Sequence, residues 1–417
     1  MEFEAILLLG MMYFMLYCSV FWLLVYYDKR KVMKIDPIPT RFPLVSILIP
    51  VWNAEDTIRA AIDSCIALDY PNKEIIVIND GSTDKTKEIC EEYVNSDKIT
   101  LLNKTNGGKA SAMNFGIKHA KGEYVSCLDA DSFFRPNALI QMIGYFEDSA
   151  VGAVTSSMKV YNPRNWIQMI QWVEYIFAIY LRRLMHFMNC LYVIPGPGST
   201  YRRDVLLELG GFDEHSLTED MDIAFRIQKA GYRITNSINA EVDTIAPDTL
   251  RGLIKQRIRW YAGFCDNSVK YKSFFLNPKY GTLGLFVLPT SFIWVGVLLA
   301  SSITLIYNVL EILITATKAY LAVGFDLNLV LAKISEMLAV GPTYITWFAV
   351  IFLLISILVI YLGLKSAGEM INFKQKYKFY ALHLVGYTIL ISLMWFFALS
   401  YLAVRGKSEK TWKGTTI

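Results

Sequence analysis

Three constellations in this 417-residue chain have residue types and spacings that could do chemistry. Asp129 and Asp131 stand two apart in Cys127-Leu128-Asp129-Ala130-Asp131, where an apolar run ends. On a continuing strand that spacing puts both carboxylates on one face; at a strand end it lets both approach one hard divalent cation and a diphosphate. Magnesium and manganese favour oxygen ligands, commonly one or two carboxylates with waters and substrate phosphates completing the octahedron. Such acidic pairs also arise by chance as solvated surface groups, so the preceding Tyr124-Val125-Ser126 run carries the argument.

The second constellation is Ser216-Leu217-Thr218-Glu219-Asp220-Met221-Asp222. An acidic turn before a helix serves as a cap in many proteins, and Thr218 with Asp222 could act so. Alternatively one carboxylate is a general base, which must come within hydrogen-bond reach of the proton that it removes. The third is Gln256-Arg257-Ile258-Arg259-Trp260. Arg257 and Arg259 cannot share one helical face. The segment reads either as a basic helix near anionic lipid or as guanidinium stabilisation of a leaving diphosphate, with Trp260 as a flat surface for a sugar ring.

These residues need elements to position them. Leu44 to Pro50 is a short apolar run rich in β-branched residues; Glu74 to Asp80, Ile99 to Leu102 and Tyr124 to Leu128 repeat the pattern. Between them, Ala54 to Leu68, Thr83 to Tyr93 and Lys109 to Ala120 have helical spacing. Alternating strand and helix predicts an α/β domain with a mostly parallel sheet covered on both faces. Ligands of such sheets lie beyond the carboxyl ends of the strands, which makes Asp80 and Asp129 candidate site residues.

The composition sets limits on the rest. With 54% hydrophobic and 19% charged residues the chain is neither disordered nor an ordinary soluble protein, and a net charge of +4 gives no reason to expect nucleic acid as partner. Cys18, Cys65, Cys90, Cys127, Cys190 and Cys265 have no metal-ligand spacing and read as reduced thiols. Ala5 to Tyr27 is uncharged and long enough to span a bilayer, and Lys29, Arg30, Lys31 and Lys34 follow it. The positive-inside tendency then places residues 31–280 in the cytoplasm, after an N-terminal transmembrane helix at 1–30. Gly281 to Leu310, Met337 to Leu364 and Phe379 to Val404 are further spanning candidates, giving a transmembrane region at 281–404 and a basic tail at 405–417. A cytoplasmic tail needs one more crossing, for which Ile312 to Ile334 is available; otherwise the tail breaks the tendency. Residues 165–184 and 250–264 are amphipathic, and could be ordinary core-facing helices or helices lying in the membrane interface.

In this order, Ile49 to Asn53, Asn79 to Asp84, Gly107-Gly108-Lys109-Ala110, Asp129-Ala130-Asp131, Gly196 to Arg203, Thr218-Glu219-Asp220 and Gln256 to Trp260 resemble the motifs of processive family 2 glycosyltransferases, the membrane polysaccharide synthases. Gly107 to Ile117 and Leu250 to Gln256 look most like the poly-β-1,6-N-acetylglucosamine synthases. The resemblance implies a GT-A (Rossmann-like) domain inserted between transmembrane helices in a multi-pass protein of the cell membrane.

The same resemblance implies site roles. The Pro50 and Val51 backbone and Asp80 would bind the nucleoside, and Lys109 and Asp129 the diphosphate. Asp131, with Asp129, would hold Mg²⁺ or Mn²⁺, and Asp220 would be the catalytic base of an inverting transfer from a UDP-sugar. Arg257 and Arg259 would stabilise departing UDP, while Gln256, Trp260, Gly196 and Gly198 would meet the acceptor, a growing polysaccharide or a lipid. UDP-GlcNAc as donor rests on the resemblance alone. The few crossings suggest a small membrane partner or a homo-oligomer for translocation. Transfer of one sugar to a polyprenyl phosphate or glycolipid is the alternative; a hyaluronan or chitin type of product, and a non-catalytic scaffold, are more remote.

Overall fold

The computed structural model describes residues 2–323, 344–369 and 387–405. Four parallel strands open the sheet: β1 (Val45–Val51), β2 (Lys73–Asn79), β3 (Thr100–Asn103) and β4 (Tyr124–Cys127). Ile47, Leu48 and Ile49 are all fully buried, the mark of a strand covered on both faces, and each such side chain contributes about 1.5–3 kcal/mol. The helices α2 (Ile58–Ile66), α3 (Thr86–Val94) and α4 (Lys109–His119) connect these strands within a few residues of the sequence expectation.

The four strands expected from the sequence pair in parallel, and beyond β4 the sheet becomes mixed. Strands β5 (Ser132–Phe134), β6 (Val151–Val160), β7 (Ser199–Arg202) and β8 (Arg233–Thr244) complete an eight-stranded sheet in the order β3-β2-β1-β4-β7-β6-β8-β5, with the short helices α5 (Ala138–Ile143) before β6 and α7 (Arg203–Glu208) after β7. The short β7 runs antiparallel to both β4 and β6, while β6 and β8 are parallel. An antiparallel neighbour needs no crossover helix on a fixed face. The helix between β6 and β7 is therefore free to leave the sheet.

That helix, α6 (Trp166–Phe187), is capped by Asn165, whose side chain accepts from Gln168 N at 2.9 Å. It is not the one-sided helix of the sequence pattern: Trp172, Val173, Ile176 and Ile179 pack with Met158 and Val160 of β6 and with Leu364, while Tyr180 and Leu184 pack with Val25 and Leu362. Apolar helices thus cover the side that the sheet leaves open. Arg183 of α6 is buried and satisfied, donating to Met33 O at 2.9 Å, Ile35 O at 2.6 Å and Tyr145 Oη at 2.7 Å, with Asp36 3.3 Å away. This knot ties the segment after α1 (Glu2–Lys29) to β8.

Among the described residues two helical stretches, Leu9–Lys29 and Leu283–Thr315, are long and apolar enough to cross a membrane; Val350–Ser366 and Ile389–Val404 are shorter apolar helices. The segment proposed as an extra crossing begins inside α10 (Leu288–Val323), one continuous helix about 54 Å long, and its remainder lies outside the described residues. So do parts of the third and fourth candidate spans and, apart from Arg405, the basic tail. The six cysteines are free thiols, five of them buried.

Candidate active site

A cavity of about 550 Å³ opens where the carboxyl end of the sheet faces the apolar helices. Lys109, Asp129, Asp131, Asp220, Gly196, Gln256, Arg259 and Trp260 all line it. Residues from Lys109 to Trp260 are thus brought to one space by the ends of β4 and α4, the turn before α8 (Glu219–Lys229) and α9 (Leu250–Lys270).

Asp80 follows β2 and is only 3% exposed. Its Oδ1 accepts from Lys104 Nζ at 2.6 Å and Gly107 N at 3.0 Å, and its Oδ2 from Gly108 N at 2.8 Å. The carboxylate expected to meet the nucleoside directly is instead occupied in folding the 104–108 turn, which delivers Lys109 as the first residue of α4. Val51 is 2% exposed and its carbonyl accepts from Asp80 N at 2.9 Å. Pro50 and Val51 therefore form the strand-end rim beside that turn and do not line the cavity.

Lys109 Nζ lies 2.5 Å from Asp129 Oδ1 and 3.5 Å from Glu219 Oε1. Burial would lower its pKa, but these carboxylates outweigh burial and hold the ammonium protonated above its ordinary range. Asp131 opens onto the cavity, with Ser132 Oγ 3.0 Å from its Oδ1 and Thr244 Oγ1 2.9 Å from that hydroxyl. Desolvation, then the Asp129 charge, push it up to about 6. Asp220 accepts from Met221 N at 2.8 Å. Burial, then Glu219, push its carboxyl up to about 7, against the pull of Lys109 and Arg259.

The capping reading of Thr218 and Asp222 does not hold. Thr218 Oγ1 makes no cap bond and accepts instead from Asn267 Nδ2 of α9 at 3.0 Å. Asp222 is fully buried, accepting from Arg226 Nε at 2.7 Å, Lys270 Nζ at 2.6 Å and Tyr271 Oη at 2.7 Å. Both residues fasten the acidic turn to α9.

On α9 the two arginines diverge, as the helical spacing requires. Arg259 lines the cavity, whereas Arg257 is fully buried and turns to Glu174 of α6 at 2.5 Å, its guanidinium 4.1 Å from the Trp260 ring centroid. Arg257 is thus a support behind Trp260, which corrects its placement beside a departing nucleotide. Gly198 is corrected likewise: it has a φ of +71°, and a Cβ there would stand 2.4 Å from Val242 Cγ2, so it lies in the core behind the cavity wall.

Sequence reasoning missed much of the lining: Glu174, Tyr175, Ala178 and Arg182 of α6, and Trp294 and Trp395. The recurrence at 174, 178 and 182 was a visible signal within the amphipathic helix; nothing distinguished the two tryptophans from other apolar residues in their helices. Tyr261 stacks on Trp395 at 4.3 Å, joining α9 to that part of the lining.

Among the described residues no group of three or more His, Cys, Asp or Glu side chains could hold a metal ion. Asp131 and Asp129 are nevertheless a fitting oxygen donor set for Mg²⁺ or Mn²⁺, which need only one or two carboxylates when substrate phosphates supply the rest.

A nucleotide-sugar transferase of the GT-A type is the class that this sheet and strand-end acidic pair define. The family model described as glycosyl transferase family 2 matches residues 46–210. The poly-β-1,6-N-acetyl-D-glucosamine synthase of Staphylococcus aureus (strain MSSA476) is 31% identical over 304 residues, 69% of this chain and 73% of the relative. The synthase of the same description from Staphylococcus epidermidis is 29% identical over 318 residues, 72% of this chain and 77% of its own. A solved structure, the mannosyltransferase PcManGT from Pyrobaculum calidifontis in complex with GDP-Man and Mn²⁺, aligns with a TM-score of 0.56 at 23% identity, over 87% of this chain and 97% of that one, and shows the shared fold. The chain belongs to glycosyl transferase family 2, and it is a glycosyltransferase similar to the poly-β-1,6-N-acetyl-D-glucosamine synthases.

Proposed function

We propose that the protein is a membrane-embedded, inverting, processive glycosyltransferase that polymerises UDP-GlcNAc into a β-linked polysaccharide on the cytoplasmic side and passes the chain across the bilayer. The observation that carries this reading is the single cavity in which Asp131, Asp220 and Trp260 meet, bounded on one side by the α/β domain and on the other by apolar helices. The relatives' description as poly-β-1,6-N-acetyl-D-glucosamine synthases supports the donor and the product.

Lys109 and Arg259 hold the donor diphosphate, and Asp131 with Asp129 holds Mg²⁺ or Mn²⁺. The bound cation supplies charge withdrawal from the β-phosphate. Asp220 takes the proton from the acceptor hydroxyl as its oxygen bonds to C1; the C1–O bond to UDP breaks and its electron pair leaves on the β-phosphate oxygen. Attack opposite the leaving group inverts the anomeric centre. Trp260 stacks on the terminal acceptor sugar, which Gln256 orients. Asp80 acts through the 104–108 turn, and Arg257 acts through Trp260.

A hydrophilic polymer meets a high barrier in hydrocarbon, because each unpaired hydroxyl costs several kcal/mol there. A cavity already walled by apolar helices supports direct delivery into a transmembrane path. Incubation of detergent-purified protein with UDP-GlcNAc and Mg²⁺ or Mn²⁺ tests the proposal. A product ladder cut by a β-1,6-specific hydrolase is expected, whereas a one-sugar adduct on a lipid phosphate would overturn it.

A further inference from the structure

The lining of the reaction cavity carries a charge that the proposed transfer does not use. Arg182 lines the cavity; its Nε and Nη2 are covered by protein and have no hydrogen-bond partner among the described residues, so a molecule in the cavity reaches the guanidinium at Nη1. Its neighbour Arg183 shows that this fold can satisfy a buried guanidinium, with carbonyls of Met33, Ile35 and Asn236 and the Tyr145 hydroxyl all accepting from it. Glu174, two turns earlier on the cavity face of α6, is paired elsewhere: Arg257 Nη2 and Tyr387 Oη both donate to its Oε2, at 2.5 Å and 2.6 Å. Burial lowers the Arg182 pKa to about 10, which leaves it charged at neutral pH.

A ligand oxygen that accepts from the accessible Nη1 would offset part of the cost of a guanidinium so poorly paired by protein. The guanidinium offers donors only, in a planar fork. The same lining includes Tyr192, Trp294 and Trp395, broad apolar surfaces suited to pyranose rings, while the nucleotide-binding groups Lys109 and Asp129 stand at the sheet end of the cavity.

Charge decides which oxygen it meets. Besides the paired Glu174, the lining holds the carboxylates of Asp129, Asp131, Glu219 and Asp220 against the cations Lys109, Arg182 and Arg259. A UDP-sugar and a divalent cation bring charges that cancel. An anionic acceptor would add to an existing acidic excess, while a protonated amine would oppose the guanidinium directly. A neutral amide carbonyl fits both limits.

We propose that Arg182 is a specificity-determining residue that donates to the N-acyl carbonyl of an acceptor sugar already in the chain, so that the enzyme holds acylated amino-sugar polymers and rejects their free-amine forms. This rests on the polysaccharide reading above and extends it to the acceptor.

The test titrates detergent-purified full-length protein, saturated with UDP and Mn²⁺, with a β-1,6-linked N-acetylglucosamine oligosaccharide and its de-N-acetylated counterpart, following tryptophan fluorescence. The wild type should bind the acetylated form at least tenfold more tightly. Arg182→Gln and Arg182→Ala should each weaken that form roughly 10- to 100-fold, the range for a hydrogen bond to a charged group, and leave UDP affinity unchanged. Equal affinity of variants and wild type for the acetylated form would refute the assignment, as would an equal loss of UDP binding. Binding of a short polyprenyl phosphate that Arg182→Gln abolishes, with no binding of either oligosaccharide, would overturn both this assignment and the polysaccharide reading. Wild-type binding of the acetylated form that survives in the variants would sink only the role of Arg182.

Discussion

Gly263 of α9 passes so close to Thr218 that a Cβ on it would stand 2.4 Å from both Oγ1 and Cγ2 of that threonine. Thr218 immediately precedes Glu219 and Asp220, and Asn267, one turn after Gly263, donates to Thr218 Oγ1 at 3.0 Å. The helix that carries Gln256, Arg259 and Trp260 is therefore in backbone-level contact with the turn that carries the proposed base. Acceptor-side and base-side geometry form one mechanical unit.

Gly263→Ala should break this unit without removing any polar group. The added methyl must displace Thr218, an overpacking cost of about 1–3 kcal/mol, and Asp220 moves with it. Turnover is expected to fall at least tenfold while UDP affinity, set at Lys109 and Asp129, stays within about twofold, since misplacement of about 1 Å can cost 10²-fold. Parallel kinetics and nucleotide titration would check this; unchanged turnover would show that the two elements are not coupled.

The role of Asp220 has its own signature. Asp220→Asn keeps the shape and the bond from Met221 N but cannot accept the acceptor proton. A loss of about 10²–10⁴-fold in turnover is expected, with UDP binding near normal. Substantial residual transfer beside weakened UDP binding would instead place Asp220 on the donor.

The pH profile follows from the environment of that group. Burial and Glu219 raise Asp220 to about 7, so the base is protonated and idle below that value. Turnover should rise with pH through about 7. Glu219→Gln removes the like charge, lowers the Asp220 pKa and should shift the acid limb of the profile to lower pH. A limb that moves upward or stays fixed would contradict the coupling between these carboxylates.

Much of this was legible in the chain because short-range chemistry wrote it. The β-branched runs ending at Pro50, Asp80 and Asp129 announced buried parallel strands, and the Asp129–Asp131 spacing announced a strand-end acidic pair. What was not legible depended on long-range packing. Ser199–Arg202 is four residues long, and nothing in it says that it runs antiparallel between β4 and β6. The amphipathic pattern of α6 left open whether it faces the core alone or also the apolar helices, and only their packing on Tyr180 and Leu184 decides it. Arg257 and Arg259 have equal charge and neighbouring positions; only the location of Glu174, 83 residues upstream of Arg257, decides which one leaves the cavity.

That separation of the two arginines can be measured. Removing Glu174 leaves Arg257 as a buried charge beside Tyr387, so Glu174→Ala should cost about 3–5 kcal/mol of stability and lower the melting temperature. Arg257→Ala should also destabilise, and loosen Trp260. Arg259→Ala removes a partly exposed cavity cation, so it should leave the melting temperature within a degree or two and lower turnover. The reverse pattern would return Arg257 to the nucleotide.

The acidic pair makes a prediction that needs no turnover. A ligand that binds only the folded protein raises its stability by RT ln(1 + [L]/Kd), about 2.7 kcal/mol at a hundredfold excess over Kd. With UDP present, Mn²⁺ should therefore raise the wild-type melting temperature, and EDTA should reverse the rise. Asp131 opens onto the cavity, while Asp129 is paired with Lys109 at 2.5 Å. Asp131→Ala should consequently abolish the Mn²⁺-dependent shift, whereas Lys109→Ala, which frees Asp129, should keep it and reduce UDP affinity instead. A full Mn²⁺ shift in Asp131→Ala would move the cation to other ligands.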